Sequence, residues 1–421
     1  MNAVPEKGEA GFLARYEERK RHLPGDRRVR EAAAAAFRAT GLPTLRDEAW
    51  KYTNLRPLAE ASFAGPLAAF AEQRLPDDAL PGLEGPALLM IDGRLQGDLS
   101  AAPSGVRVAR FADEPDFGAV SCTEHAPLVA LNTMLAEDGA VIEVEPGVDG
   151  GTIQLVSLAR ETGGQSITFH PLHRIRLGAG ARLTLFETAR GGGSYFHNPL
   201  TDVEIGEGAS LVHVRLQDES VDSFHLATVY AAIAPHGTYD CFALNIGARL
   251  CRTEFHAHLS GHSGSAHLNG AQLLGGRQHS DFTSIVRHDA PQCASRQTVK
   301  NVLAGRSRGV FQGRIEVARP AQKTDGYQMN QALLLSPDAE VDSKPELEIF
   351  ADDVKCSHGA TVGQLDPEQL FYLQSRGITE PVARSILVRA FLAEAIDLVG
   401  HEGIRGVLDR LVESWWERQA A

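Results

Sequence analysis

The chain has 421 residues, 43% of them hydrophobic and 23% charged, and its formal net charge is −13 at pH 7. This composition is ordinary for a globular protein with a large core, and the negative charge argues against a nucleic-acid partner, which selects a basic surface. There is no apolar run of about 18 residues for a membrane span, and the charged N-terminus lacks the apolar core of a signal peptide, so a cytoplasmic protein is expected.

The first zone of the chain, 1–104, is predicted to be helical and then irregular. In DRRVREAAAAAFRATG, the apolar residues Val29, Ala33 and Phe37 recur at four-residue spacing, which predicts an amphipathic helix that ends at Gly41. The aromatic and charged stretch LPTLRDEAWKYTNLRPL then predicts a turn and a short helix.

Short strands separated by Gly-containing turns fill the second zone, 105–363. RIRLGAGARLTLFE begins at Arg174, DVEIGEGASLVHVR at Asp202 and YAAIAPHGTYDCFA at Tyr230, so the three starts are evenly spaced. A repeat of this length, about 28 residues, indicates a solenoid.

Weaker copies of the repeat, near Gly264, Pro291 and Arg319, continue at nearly the same spacing. Each repeat holds two strands and two turns, and such a unit buries its inner face only by stacking on the next one. A mainly β protein with a flattened parallel β-helix is therefore predicted. A β-sandwich is the alternative, because it also has regularly spaced strands.

Helices return in the third zone, 364–421. Asp366 and Thr379 each precede a proline by one or two residues, as N-caps do at the start of a helix. The last predicted helix has one apolar stripe, formed by Ile404, Val407, Leu408, Leu411, Val412, Trp415 and Trp416. The stripe either packs on its own domain or binds a partner, and the sequence leaves both open.

The five cysteines are odd in number and form no C-x-x-C pair, so neither a disulfide framework nor a closed zinc or iron–sulfur site is expected. In KCSHGATVGQLD, Cys356 and His358 would share one face of a strand. A thiol and an imidazole suit iron, zinc or copper, but two ligands do not close a site. The pair is interpreted as a buried structural cysteine, as half of a site completed by another chain, or as a redox thiol.

Two other groups of residues have the types needed for chemistry. Glu254, His256 and His258 could share one strand face as a metal ladder, although histidines on exposed strands are common. RHDAP, at 287–291, offers acid–base groups or a salt bridge in a turn. The chain has no G-x-S-x-G, Walker A or H-E-x-x-H motif.

The run KTDGYQMNQALLLSPDAEVDSKPELEIFADDVKCSHGATVGQLDPEQLFYLQSRGI resembles the C-terminal signature of the SufB/SufD family. PTLRDEAWKYTNL, at 43–55, is similar to the aromatic motif that opens the SufD branch of that family. SufB-like chains carry a cysteine and a histidine where this chain has YQMNQALLLSP, and E-H-E-A-T where it has CSHGAT. The resemblance is therefore to the SufD branch, and this chain is not expected to be the main cluster-bearing scaffold.

The resemblance implies a right-handed parallel β-helix flanked by N-terminal and C-terminal helical regions. It implies a non-catalytic subunit that assembles with one SufB and two copies of the ABC ATPase SufC, and supports iron–sulfur cluster formation and iron acquisition. The ATPase activity would reside in SufC. A β-helix carbohydrate-active lyase and a purely structural solenoid that holds the ATPase are the alternatives.

The resemblance also implies roles for individual residues. A histidine that matches His358 lies at the SufB–SufD interface and helps to form the nascent cluster with a SufB cysteine, and Cys356 is a weaker candidate. Any iron or cluster would be transient and shared with SufB. The C-terminal helices would dock SufC through residues such as Leu370, Phe371, Ile386, Leu387 and Phe391. An isolated chain could form a homodimer through the surface that meets SufB.

Overall fold

The structure is a computed structural model that describes residues 7–66, 83–97, 102–114, 116–117 and 126–420. Its helices are α1 (Gly8–Arg19), α2 (Arg27–Thr40), α3 (Arg56–Ala59), α4 (Pro127–Leu135), α5 (Pro367–Ser375), α6 (Glu380–Ile396) and α7 (Glu402–Ala420), with 3₁₀ turns at Glu48–Trp50 and Phe111–Asp113. Among the described residues, no helix combines the length and the apolar composition needed to cross a membrane.

The strands are short and numerous. They are β1 (Ala87–Ile91), β2 (Arg94–Gln96), β3 (Val106–Arg110), β4 (Ala140–Val144), β5 (Asp149–Ala159), β6 (Ile167–Phe169), β7 (Leu172–Leu177), β8 (Arg182–Gly191), β9 (Tyr195–His197), β10 (Leu200–Ile205), β11 (Ser210–Glu219), β12 (Phe224–Ile233), β13 (Thr238–Asn245), β14 (Leu250–Leu259), β15 (Ser265–Leu274), β16 (His279–His288), β17 (Ala294–Leu303), β18 (Arg308–Val317), β19 (Asp325–Leu334), β20 (Glu340–Ile349) and β21 (Lys355–Gly363).

The strands form two facing sheets that share the turns of one solenoid. The first sheet has the order β2-β1-β5-β8-β11-β13-β15-β17-β19-β21, and the second has the order β20-β18-β16-β14-β12-β10-β7-β4-β3. The solenoid has about 8 turns of about 29 residues, and the main apolar core lies between its sheets. The predicted parallel β-helix is confirmed and the β-sandwich is not formed. The right-handed sense of the coil stays a prediction.

The register confirms the repeat where it is strongest. Arg174, Asp202 and Tyr230, the predicted repeat starts, lie directly opposite one another on three neighbouring strands. GAGA and GEGA are the turns that enter β8 and β11, and Gly180 and Gly208 have φ values of 68° and 64° there, which favour glycine.

The weaker copies of the repeat do not keep the spacing in sequence that the three strong copies predict. In the first sheet, the residues that pair in succession lie at positions 238, 265, 294, 325 and 355, so every later step is longer than the first. The first additional residues belong to β15, which has 10 residues where β13 has 8, and the next ones lie in the longer turn at 318–324 between β18 and β19. Because turns lie outside the ladders, the strands stay paired while the spacing drifts.

Helices cover the outer faces of both sheets. α6 and α7 pack on the first sheet, where Val388, Leu392, Leu408 and Trp415 join apolar side chains from β8 to β19. The N-terminal helices and α4 pack on the second sheet around Phe196 and other aromatic residues. The predicted helix ends are confirmed at Gly41, which ends α2, and at Asp366, whose carboxylate accepts a hydrogen bond from a backbone N–H at the start of α5. The Asp26 carboxylate caps the start of α2 in the same way. Thr379 precedes α6 but makes no side-chain cap.

The two ends of the solenoid differ. At the N-terminal end, β2 pairs with β1 and β3 pairs with β4, in both cases antiparallel. At the C-terminal end, β20 and β21 are parallel edge strands whose residues are mostly exposed or half-buried. The domain boundaries at 104 and 363 remain predictions, but β1 and β2, from the predicted N-terminal region, belong to the first sheet.

The aromatic segment at 43–55 crosses the outer face of the second sheet. Thr53 Oγ1 donates to Asp281 Oδ2 at 2.5 Å, and the Arg252 guanidinium lies 4.1 Å from the centre of the Trp50 ring. Glu48 Oε1 lies 2.6 Å from Lys344 Nζ. The segment therefore ties the N-terminal helices to β14, β16 and β20.

Candidate functional site

The candidate pair lies on β21, the last strand of the first sheet. Cys356 faces Gly326 across the ladder to β19, and His358 faces Gln328. The strand on which the prediction depended is present, and alternation along it puts Cys356 and His358 on the same face. The other edge of β21 has no partner strand among the described residues.

Cys356 is half-buried at the open end of the core. Its side chain packs with the small cluster that contains Ile315 and Ala351, and a Cβ built on Gly326 would lie 3.3 Å from Cys356 Sγ. Burial raises the pKa of the Cys356 thiol. The thiol is therefore neutral at pH 7, and its surroundings do not activate it as a nucleophile.

His358 is exposed and makes no side-chain hydrogen bond with the part of the chain that is described. Its neighbour across the ladder, Gln328, is fully buried, and both polar atoms of the Gln328 amide lack a partner within the same residues. An exposed imidazole thus stands at the edge, and the amide beside it is buried with its polar atoms unpaired among the described residues. The imidazole, unlike the amide, is accessible to a further group.

The two other candidate groups are not brought together as sites. His256 Nε2 lies 2.8 Å from Glu254 Oε1, whereas His258 Nε2 lies 2.7 Å from Asp289 Oδ2. Arg287 Nε donates to Asp289 Oδ1 at 3.0 Å, which is the salt bridge in a turn that RHDAP allowed. Among the described residues, neither group places three metal-ligating atoms close together.

The structure brings together one group of metal-ligating residues that the sequence analysis did not find. His197, Glu219 and His225 meet inside the solenoid, and each is buried. The sequence does contain a signal for the two histidines, because Phe-His occurs at 196–197 and again at 224–225, one repeat later. Glu219 carries no such signal, since it belongs to the other sheet.

The C-terminal helices divide into an inner and an outer part. The stripe on α7 packs inward, with Ile404, Leu408 and Trp415 at most 2% exposed, so it covers its own domain. α5 has no buried residue.

The residues predicted to dock SufC lie on or beside this outer part. Phe371 is 71% exposed and Ile386 is 40% exposed, whereas Leu370, Leu387 and Phe391 are half-buried. The Phe391 ring also has Lys300 Nζ 4.3 Å from its centre. Tyr372, 58% exposed, extends the apolar surface around Phe371.

Two family models match the chain. The model described as "SUF system FeS cluster assembly, SufBD core domain" matches 160–391, and the model described as "SufBD protein N-terminal region" matches 19–154. The first match covers the solenoid from β6 to β21, together with α5 and most of α6. The chain therefore belongs to the SufB/SufD family of the SUF iron–sulfur cluster assembly system.

Within this family the chain is SufD-like. It is 32% identical over 370 residues to the iron–sulfur cluster assembly protein SufD of Escherichia coli, covering 87% of each chain. It is 29% identical to an iron–sulfur cluster assembly SufBD family protein of Synechocystis, over 91% of this chain and 89% of that one. It is 30% identical to the chloroplastic protein ABCI7 of Arabidopsis thaliana, over 90% of this chain and 83% of that one.

Proposed function

We propose that this chain is a non-catalytic scaffold subunit of a SUF-type complex that assembles iron–sulfur clusters. A SufB-like subunit pairs with the last turn of the solenoid, and a SufC-like ABC ATPase binds the C-terminal helices and supplies the ATPase activity. The complex also takes part in iron acquisition. The observation that carries the proposal is the open edge of β21 with an exposed His358 on it. Membership of the family disfavours the carbohydrate-active lyase.

β21 is the better of the two open edges for pairing with another chain. An edge strand offers a row of N–H and C=O groups to a second strand. β20 reads EVDSKPELEI, with several acidic side chains and with Pro345, which has no N–H to donate. β21 reads KCSHGATVG and has a single charged side chain, Lys355. Val362 on β21 is 55% exposed, so apolar contact can accompany the backbone hydrogen bonds.

A site at this edge would hold a cluster only while two subunits are joined. His358 offers one imidazole nitrogen, and the remaining ligands would come from the SufB-like subunit. Ligands that are split between chains can separate when the ATPase binds nucleotide and moves the two halves, which releases the cluster. The iron or cluster is thus a transient cargo, and the neutral Cys356 thiol is the weaker of the two candidate ligands. Without its partner, the same edge could join two copies of this chain.

We expect His358→Ala to lower the yield of iron–sulfur cluster on the reconstituted three-protein complex about tenfold, as the loss of a metal-site group does. The free energy of unfolding of the His358→Ala chain should not change, because the His358 side chain is exposed and has no hydrogen bond within the described residues. The yield would be measured from visible absorption and from iron and sulfide content after anaerobic reconstitution. Cys356→Ser should have the smaller effect.

Ser357→Ala is the matched control, since Ser357 lies on the same strand, is exposed and points to the opposite face. Co-purification with both partners would be measured for every variant. A normal cluster yield from His358→Ala, with both partners still bound, would show that the solenoid has only a structural role.

The proposed ATPase surface has its own test. The double variant Phe371→Asp/Tyr372→Asp puts two charges on an apolar surface of α5, so co-purification with the SufC-like ATPase should be lost. A weakening of affinity by about tenfold or more is expected, because aromatic anchors dominate such interfaces. Thermal unfolding should not shift, since α5 has no buried residue.

Val221→Asp is the control, because Val221 is also a large exposed apolar residue, 62% exposed, in a turn between β11 and β12. The Val221→Asp chain should still co-purify with the SufC-like ATPase. Equal binding by the double variant and by the unchanged chain would exclude α5 as the docking surface, while leaving the test of His358 unaffected.

A further inference from the structure

A second cluster of metal-ligating side chains lies inside the solenoid, far along the chain from β21. It consists of His197, Glu219 and His225, all at most 5% exposed. Glu219 Oε1 lies 3.0 Å from His197 Nδ1, and Glu219 Oε2 lies 2.6 Å from His225 Nδ1. One ligand atom from each residue falls within 4.8 Å of the others.

The repeat itself places these three side chains. His197 on β9 lies directly opposite His225 on β12, so one turn of the solenoid stacks the two imidazoles, with ring centres 4.9 Å apart. Glu219 is the last residue of β11 and reaches them from the other sheet. Cys251, opposite His225 on β14, is the next inward residue in the same column and is fully buried. The group therefore has rigid strands on both sides.

In the described part of the chain, Glu219 has no arginine partner of the kind that neutralises the negative charge of other buried carboxylates. Glu187 is held by Arg215 at 2.9 Å, and Asp281 is held by Arg252 at 2.5 Å. Among the described residues, Glu219 is close to two imidazoles, to the amide of Gln217 at 3.0 Å and to the hydroxyl of Tyr195, and no arginine or lysine pairs with it. A buried carboxylate without a cation is costly.

One of the imidazoles also has an unused nitrogen atom. His197 Nε2 is buried without a hydrogen-bond partner among the described residues. His225 Nδ1 lies 2.6 Å from Glu219 Oε2. An unpartnered buried nitrogen beside a buried carboxylate that pairs with no arginine or lysine is a feature of a ligand set that lacks its cation.

We propose that His197, Glu219 and His225 bind a divalent first-row transition metal ion inside the solenoid. Two imidazoles and one carboxylate are a ligand set that zinc and ferrous iron both accept, with a fourth position open to water. The ion replaces the missing positive charge, since two neutral imidazoles and one carboxylate leave the occupied site with a single net positive charge. This site does not rest on the proposed SufB-like interface.

Because the ligands are buried, the test loads the metal during folding. The full chain would be unfolded with chelator, refolded with Zn²⁺, with Co²⁺ or anaerobically with Fe²⁺, separated from free metal, and assayed for metal per chain. We expect about one ion per chain, and Co²⁺ should show the visible absorption of histidine-ligated cobalt. Glu219→Gln and His225→Gln should weaken binding about 100-fold.

His213→Gln is the matched control. His213 is equally buried and its Nε2 lies 3.0 Å from Glu187 Oε2, but Arg215 already balances that carboxylate. This variant should keep the metal, and so should His358→Ala, which separates this site from the one on β21.

The proposal is overturned if the refolded chain retains none of the three ions, or if Glu219→Gln retains as much as the unchanged chain. Equal retention of Mg²⁺ in a parallel refolding with that ion would also overturn it, because Mg²⁺ does not select imidazole. If a variant does not refold, as judged by circular dichroism, the cobalt spectrum of the unchanged chain decides: histidine-ligated bands support the site and their absence excludes it.

Discussion

Replacing Arg252 by methionine should lower the free energy of unfolding by about 3–5 kcal/mol, as expected when one partner of a buried ion pair is removed. Arg252 is 1% exposed and donates to Asp281 Oδ2 at 2.5 Å and to Glu254 Oε2 at 2.7 Å. Methionine keeps the packing on Trp50 but leaves both carboxylates without their cation. The midpoint of urea unfolding at pH 7 would measure the effect.

Arg314→Met is the matched control for Arg252→Met. Arg314 pairs with Glu316 at 2.9 Å on the outer face of β18, but both side chains are partly exposed. Solvent screens such a pair, so this change should cost less than about 1 kcal/mol. Equal destabilisation by the two variants would contradict the argument. Adding Asp281→Asn to Arg252→Met should recover part of the loss, because it removes one uncompensated charge.

The second large effect is a loss of stability in mild acid. Burial lowers the pKa of His173 to about 4 and the pKa of His288 to about 4. The unfolded chain has ordinary histidines with a pKa near 6.5 and takes up protons first, so stability falls as the pH drops from about 6.5 to about 4. Each histidine should contribute a loss of about 3 kcal/mol by pH 4.

Substitutions that imitate a neutral imidazole test this acid sensitivity. His173 Nδ1 accepts a hydrogen bond from the Ala140 N–H at 3.1 Å, and asparagine places an oxygen near Nδ1. His288 Nε2 lies 2.9 Å from Ser295 Oγ, and glutamine reaches the Nε2 position. The double variant His173→Asn/His288→Gln should unfold with a flatter dependence on pH between 7 and 5.

Urea unfolding at several pH values would measure that slope. His22→Gln is the control, because His22 is exposed and should not change it. An unchanged slope in the double variant would mean that other groups, such as the buried carboxylates, cause the acid sensitivity.

The fold was predictable where the same local pattern recurs. Arg174, Asp202 and Tyr230 mark turns of equal length, so a constant step in sequence became direct pairing in the sheet. The constant spacing in sequence failed from β15 onward, because β15 and the turn before β19 gained residues while the ladders stayed paired. The ends of α2 and α5 were predictable from Asp26, Gly41 and Asp366, since caps depend on only a few neighbouring residues.

The site was predictable only in part, because side chains from distant turns compose it. Cys356 and His358 share a strand, so their common face follows from alternation alone. The pairing of Glu219 with His197 and His225 requires knowledge of how two sheets face each other. The contact of Thr53 with Asp281 joins residues more than 200 positions apart, and no local pattern signals it.

Because the two ends of the solenoid differ, they limit how many solenoids can join end to end. At the N-terminal end, β2 is three residues long and β3 pairs its Arg107 with Glu143 and Glu114, so short or charged antiparallel strands block further pairing. Among the described strands, β21 is a long parallel edge with few charges, and the proposed pairing uses it. If two solenoids of this kind join at β21, as proposed, each presents its blocked N-terminal end outward, so the expected assembly is a closed pair and not a filament.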